Sequence, residues 1–208
     1  MVVPVHGARF GVAMAQRLDI EIDLPGAGAF PVLALREGVP KWTGISLRPA
    51  GPGCARSTAC PRPMPLPLIP TWRRNYSCRQ QTRWQLARPD RAQMIMLADA
   101  MQPYVWAIDG QTWDTHIPIT AVSGERAKLM FHNMSMMGHV MHLHSHVFQV
   151  VNINGRTVNG ALRDTIYVPP MAMVTVALDA GDAARWMLHC HHMPHLSADM
   201  MTEFAVSA

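Results

Sequence analysis

The stretch Thr165-Ile-Tyr-Val-Pro-Pro-Met-Ala-Met-Val-Thr-Val-Ala-Leu-Asp-Ala-Gly181 decides the fold class. It holds two short apolar runs, Thr165–Val168 and residues 173–178, divided by Pro169-Pro170 and closed by Ala180-Gly181. Short runs rich in aliphatic and β-branched residues, bounded by Pro and Gly, read as strands and turns. The same rhythm continues on both sides, over residues 94–97, Tyr104–Ile108, 127–132, 147–153, 186–190 and 202–206. Asp109-Gly110, Ser123-Gly124, Asn154-Gly155 and Asn159-Gly160 supply turns between them. Many short strands with regular turns predict an all-β antiparallel sandwich or barrel over residues 92–208. The only helical signal there is about one turn near residues 191–196.

Upstream, Leu18, Ile20 and Ile22 alternate with Asp19, Glu21 and Asp23. Pro25-Gly26-Ala27-Gly28 turns the chain, and Phe30-Pro31-Val32-Leu33-Ala34-Leu35 returns as a second run. This predicts a hairpin over residues 17–36 with one wet face. Two strands do not make an independent domain, so residues 1–50 read as part of something larger. Residues 51–91 lose all periodicity and carry Pro61, Pro63, Pro65, Pro67 and Pro70 with Cys54, Cys60 and Cys78. Their composition fits an irregular, extended Pro/Arg-rich linker or a stretch never selected to fold.

Composition excludes several classes. A chain of 208 residues that is 49% hydrophobic and 15% charged is globular rather than disordered. No apolar run approaches the ~18–20 residues of a membrane-spanning helix. Met1-Val-Val-Pro-Val-His-Gly7 lacks the basic start and apolar core of a secretory signal. Four cysteines are too few for a disulfide-built scaffold of this size. The net charge of +4 describes no basic surface, because residues 54–91 hold 8 arginines against the single acid Asp90. That stretch matches no nucleic-acid recognition motif, so no nucleic-acid partner is expected.

The chemistry lies in His139-Val-Met-His142-Leu-His144-Ser-His146 and in His189-Cys190-His191-His192-Met-Pro-His195, with Met200 beyond. Side chains of an extended segment alternate between two faces. His189 and His191 then point one way and Cys190 the other. His142 and His144 share a face, and His139 lies at an odd offset from them. Parity sorts the residues into His139, Cys190, His195 and Met200 on one side, and His142, His144, His189 and His191 on the other. Two imidazoles, a thiolate and a thioether make the donor set of a blue-copper centre, with Met as a weak axial ligand. Met201 is adjacent to Met200 and competes with it for that position. Four imidazoles without thiolate suit copper bound to oxygen species. One residue of backbone joins the two sets, because Cys190 lies between His189 and His191. Zinc is the rival for Cys/His clusters, but zinc sites seldom recruit Met. His146 reads as a supporting group, and His6, His116, His132 and His192 as non-ligands.

These motifs resemble the C-terminal cupredoxin domain of multicopper oxidases, the laccase-like enzymes. Tyr104-Val-Trp-Ala-Ile-Asp-Gly, Gly160-Ala-Leu-Arg-Asp-Thr and Trp186-Met-Leu-His-Cys-His extend the match. The resemblance covers residues 92–208 strongly. It covers residues 8–50 weakly, as closing strands of a preceding cupredoxin domain. It implies a cupredoxin-like Greek-key β-sandwich with copper as cofactor. It also implies His139, Cys190, His195 and Met200 as type 1 ligands, His142 as a type 2 ligand, and His144, His189 and His191 as type 3 ligands. Cys190 and His195 would be the residues through which electrons enter. Val140, Ser145 and Asp199 stand where the family pattern has Pro, Gly and Gly.

The family cluster takes four His-x-His pairs, and this sequence holds two, His142/His144 and His189/His191. The resemblance therefore implies an N-terminal cupredoxin domain as the missing partner. Two functions follow as expectations. One is oxidation of a phenolic or reduced-metal substrate, one electron at a time, coupled to dioxygen reduction. The other is a copper-binding electron-transfer module without oxidase turnover. Family habit implies a periplasmic or secreted location.

Overall fold

The computed structural model describes residues 6–36, 40–49 and 88–208. The chain divides into two compact units, Leu18–Ile69 by itself and Met1–Arg17 with Pro70–Ala208. Most of the 51–91 stretch lies outside the described residues, as do Cys54, Cys60 and Cys78.

In the smaller unit, β1 (Phe30–Leu35) pairs antiparallel with β2 (Trp42–Leu47), Phe30 facing Leu47 and Leu35 facing Trp42. A hairpin is present, but not the expected one. Residues 18–23 form no strand, and β1 turns forward to a partner downstream. Alternation shows only that a segment could be half-buried; it does not supply a surface to bury against. Ile20 and Ile22 stay 52% and 42% exposed, so their apolar face gains nothing from extension. The β1–β2 connection closes instead with the Arg36 N–H donating to the Lys41 carbonyl at 3.1 Å.

The described residues of the larger unit hold twelve strands in two sheets. They are β3 (Arg91–Met101), β4 (Tyr104–Ile108), β5 (Ile119–Val122), β6 (Arg126–Asn133), β7 (His139–Leu143) and β8 (Phe148–Ile153). Then follow β9 (Arg156–Thr157), β10 (Leu162–Arg163), β11 (Thr165–Val168), β12 (Met173–Asp179), β13 (Ala184–Cys190) and β14 (Met201–Ser207). One sheet runs β10-β8-β12-β6-β3-β4, with β9 on β8, and the other runs β11-β7-β13-β14-β5. Pairing is antiparallel except β3 with β6 and β14 with β5. Those two parallel pairs require long crossovers, so the sheets are not simple meanders. This is the all-β, cupredoxin-like sandwich.

The core lies between the sheets. Ile95, Leu97, Leu129, Phe131, Val174 and Val176 from the first join Ile119, Met141, Leu143, Leu188 and Phe204 from the second in one buried cluster. The alternation is regular on β6, where Ala127, Leu129 and Phe131 are buried and Arg126, Lys128 and Met130 are not. The Asn154-Gly155 turn between β8 and β9 has φ of 48° and 81° at its two residues, the left-handed pair that tight hairpins need. Strand β7 shows no alternation in its sequence because four of its five residues are fully or nearly fully buried, on both faces. Its neighbours β11 and β13 close over both edges.

Candidate metal centre

Strand register places the site. On β7, His142 lies opposite Thr165 of β11 and opposite His189 of β13, while Met141 lies opposite Cys190. Directly paired residues share a face. Cys190 therefore shares the core face with Met141 and with His139 two residues earlier. His142 and His189 share the other face.

On the core face the donor atoms of His139, Cys190 and His195 lie within 4.8 Å of one another, all three residues buried. His139 Nδ1 is 3.8 Å from Cys190 Sγ, and His195 Nδ1 is 3.6 Å from it. Metal–nitrogen and metal–sulfur bonds of about 2.0 and 2.3 Å meeting at a trigonal angle put N and S roughly 3.7 Å apart. The three donors thus already surround a trigonal metal position. The short helix α1 (Met193–Leu196), opened by Pro194 in its first turn, carries His195 into place. The chain then folds back, with the Met200 N–H donating to the His195 carbonyl at 3.1 Å and the Cys190 N–H to the Met200 carbonyl at 3.0 Å. Met200 is fully buried. Met201 pairs directly with His189 and so lies on the opposite face from Cys190. Register separates two methionines that sequence parity left in competition.

Residues outside the two motifs hold these rings. Ser135 Oγ is 2.9 Å from His139 Nε2, and Asn133 and Met137 anchor that hydroxyl in turn. With Nε2–H donating to Ser135, Nδ1 keeps a free lone pair facing Cys190. The Trp106 ring stacks on His195, centroids 3.8 Å apart and 21° from parallel. Neither Ser135 nor Trp106 stood out as a supporting residue in the sequence. Trp106 lies inside the Tyr104-Val-Trp-Ala-Ile-Asp-Gly match, which was its only signal.

On the other face, the donor atoms of His142, His144 and His189 lie within 4.8 Å of one another, and His144 Nε2 is 3.1 Å from His189 Nε2. His142 Nδ1 is 2.8 Å from the Asp164 carbonyl, which accepts its proton and leaves Nε2 free. The His191 ring lies 5.4 Å from that of His189 and 5.8 Å from that of His142, and its Nδ1 is buried without a hydrogen-bond partner. Two imidazole nitrogens 3.1 Å apart with at most one proton between them, and a third buried without a partner, form a donor group suited to cations.

Burial favours the neutral form of His139, His195, His144 and His189. His139 is pushed down to about 3 by desolvation, helped by the charges of His195 and His192. His195 is pushed down to about 4, again mainly by desolvation. Desolvation likewise lowers His144 and His189, and it raises the Cys190 thiol above its ordinary value. The nitrogens are therefore open to a metal at neutral pH, whereas a metal entering at Cys190 has to displace a proton.

Several histidines are committed elsewhere. His146 Nε2 accepts from the Gly181 N–H at 3.0 Å, so Nδ1 donates to the His144 carbonyl at 2.9 Å, and the ring braces the loop beside His144. His116 bridges the Trp113 carbonyl and Glu203, a carboxylate that also binds Arg185. Ser145 and Asp199, which stand where the resemblance implies glycine, sit in the left-handed region, at φ 54° and φ 71°. Asp tolerates that conformation better than Ser. Ser145→Gly is expected to stabilise the metal-free chain by about 0.5–1 kcal/mol, and Asp199→Gly by less. A urea midpoint that falls in Ser145→Gly would show that the serine side chain contributes more than its backbone strain removes.

The family model for multicopper oxidase matches residues 86–208. The chain belongs to the multicopper oxidase family. The multicopper oxidase MmcO of Mycobacterium tuberculosis is 32% identical over 205 residues, covering 97% of this chain and 39% of MmcO. Copper resistance protein A of Escherichia coli is 29% identical over 118 residues, 57% of this chain and 19% of that protein. Among solved structures, the McoA multicopper oxidase of Aquifex aeolicus aligns with a TM-score of 0.50 at 27% identity, over 57% of this chain and 29% of McoA. The multicopper oxidase of Campylobacter jejuni shares the fold over 89% of this chain and 42% of its own, with a TM-score of 0.61 at 18% identity. The chain thus spans well under half the length of these multicopper oxidases. Copper is the metal the family implies, and the donor set, trigonal spacing and orphaned His191 nitrogen fit it. Among the described residues no helix is long and apolar enough to cross a membrane.

Proposed function

We propose that this chain is the copper-bearing C-terminal part of a copper-dependent oxidoreductase of the multicopper oxidase type. In this reading His139, Cys190, His195 and Met200 hold a type 1 copper. His142 contributes to a type 2 site, and His144, His189 and His191 to a type 3 pair. The observation that carries it is the convergence of two Nδ1 atoms on Cys190 Sγ, one residue of backbone away from the imidazole group. Copper there would supply one-electron redox chemistry. The protein's part is to keep His139 and His195 neutral by burial, and to orient the rings, with Ser135 fixing His139 and the Asp164 carbonyl fixing His142. It also excludes water from the sulfur. The substrate in this reading is a phenol or a reduced metal ion and the final acceptor is dioxygen, in a periplasmic or secreted setting.

The domain division we propose is 1–50 as closing strands of a preceding cupredoxin domain, 51–91 as an irregular connection and 92–208 as the copper domain. An N-terminal cupredoxin domain is the partner that would complete the trinuclear centre, because these 208 residues hold two of the four His-x-His pairs. That same count favours a second reading for the chain taken alone, an electron-transfer cupredoxin module without turnover. Four of eight imidazoles leave a trinuclear site with open positions and low affinity. The copper-loaded chain is expected to retain close to one tightly held copper, to accept one electron, and to consume no oxygen steadily with phenolic substrates. Metal analysis together with an oxygen electrode checks this. Three or four retained coppers with steady turnover would refute the half-liganded assignment.

A further inference from the structure

The outer face of the larger sheet carries a second cluster of soft donor atoms. In the register of β3, β6 and β12, Met96 lies opposite His132, and Met173 lies opposite His132 from the other side. One step along, Met94 lies opposite Met130. Their chain neighbours Ile95, Leu97, Phe131 and Val174 are buried in the core. Alternation therefore directs Met94, Met96, Met130, His132 and Met173 to the opposite, outward face. Met94 and Met96 are 46% and 39% exposed, and the other three are half-buried. Adjacent strands run about 4.8 Å apart, and same-face residues on one strand lie roughly 6.7 Å apart. Four flexible thioethers and one imidazole thus occupy a patch three strands wide and two same-face positions long, with His132 flanked by methionine on both sides.

Methionine is not one of the side chains that exposed strands select for, those being mainly β-branched and aromatic. Its distinctive property is a soft, polarisable sulfur on three rotatable bonds, able to close around an ion. Thioether donors select cuprous copper over harder divalent cations, and an imidazole suits the same ion. We propose that Met96, His132 and Met173, assisted by Met94 and Met130, form a binding site for a soft monovalent cation. The physiological ion of this chemistry is cuprous copper. The site is distinct from the His139–Cys190–His195 centre: it shares no residue with it and lies on the solvent face of the other sheet. It does not depend on the function proposed above.

The test is silver(I) titration of the full, metal-free chain labelled with 13C at the methionine methyls, read by NMR and metal analysis, with zinc(II) as the harder control. The methyls of Met94, Met96, Met130 and Met173 are expected to move together and to saturate near one equivalent of silver beyond that taken by the four thiols of Cys54, Cys60, Cys78 and Cys190. Zinc(II) should leave them in place. The Met96→Leu/Met173→Leu variant keeps volume and apolarity on an outward face. It is expected to retain one silver ion fewer and to lose the shifts of Met94 and Met130. His132→Gln is expected to weaken silver binding at least tenfold. An unchanged silver count in the double variant would overturn the proposal. So would shifts spread over methionines throughout the chain, or shifts that follow protein concentration rather than silver, which would mark a self-association face. Cys190→Ser leaves this titration intact, which separates its failure from failure of the copper-centre reading.

Discussion

Copper-loaded Cys190→Ser is expected to lose the intense visible absorption completely, while the native chain shows it on addition of copper(II). The band requires a thiolate bound to the metal, and Cys190 is the only cysteine among the described residues. Its sulfur sits between His139 Nδ1 and His195 Nδ1 at 3.8 and 3.6 Å, with no exposed surface. A serine hydroxyl fits the space but is a hard oxygen donor that stays protonated. His139→Ala removes one of the two nitrogens and its Ser135 anchor, so the band weakens and shifts. His144→Ala removes a nitrogen from the other face and leaves the band largely intact. Absorption and electron paramagnetic resonance spectra of the three variants distinguish these outcomes. A Cys190→Ser protein that remains blue would sink the type 1 assignment.

The second large effect is a loss of stability in mild acid that metal prevents. His139 and His195 have folded-state values of about 3 and about 4, against an ordinary histidine value of 6.5. The unfolded chain therefore binds more protons than the folded one between these values, and stability rises with pH across that window. The contribution is fully present above pH 6.5. It is lost progressively as pH falls, down to about 4 for His195 and about 3 for His139. Each histidine changes stability by roughly 1.4 kcal/mol per pH unit inside its window, and because the two repel each other when charged their contributions are not additive. The metal-free chain is expected to lose on the order of 5 kcal/mol between pH 6.5 and 4, roughly half from each histidine, enough to unfold a marginal domain. Urea midpoints at half-unit pH steps measure it. His139→Leu should flatten the curve by one histidine's share, and the copper-loaded chain should be flatter still at its upper end. A metal-free midpoint that does not change from pH 6.5 to 4 would mean that the rings are hydrated and not buried as described.

Much of the larger unit was legible because its signals are local. The turn dipeptides mark where strands stop, and β4 and β11 coincide with the ranges read from sequence. The short helix near His195 is marked by Pro194 at its start. Strand β7 was harder. His139, Val140, Met141 and Leu143 are buried, on both faces, so it has no exposed polar side to create a period. Strand β5 has four residues and pairs in parallel with β14, a partner far along the chain that no local pattern names. The upstream hairpin differs from the sequence expectation for the same reason: Leu18, Ile20 and Ile22 alternate as a strand does, yet β1 pairs with β2.

For the metal centre, the sequence by itself determined the opposition of Cys190 to His189 and His191, because a strand's side chains alternate whatever surrounds them. It also determined that His139 and His142 face opposite ways, three residues apart on one strand. Only the tertiary structure decided which strands lie side by side, and so which donors meet. It set Cys190 against Met141 and His142 against His189, and put Met201 on the His189 face, leaving the buried Met200 to the Cys190 side. It also brought Ser135 to His139, Trp106 to His195, and the Asp164 carbonyl to His142. The Trp106 and Asp164 contacts join segments distant in sequence, and the Ser135 contact spans four residues across a turn. The free energy that selects them comes from packing two sheets into one core, which no stretch of the chain carries alone.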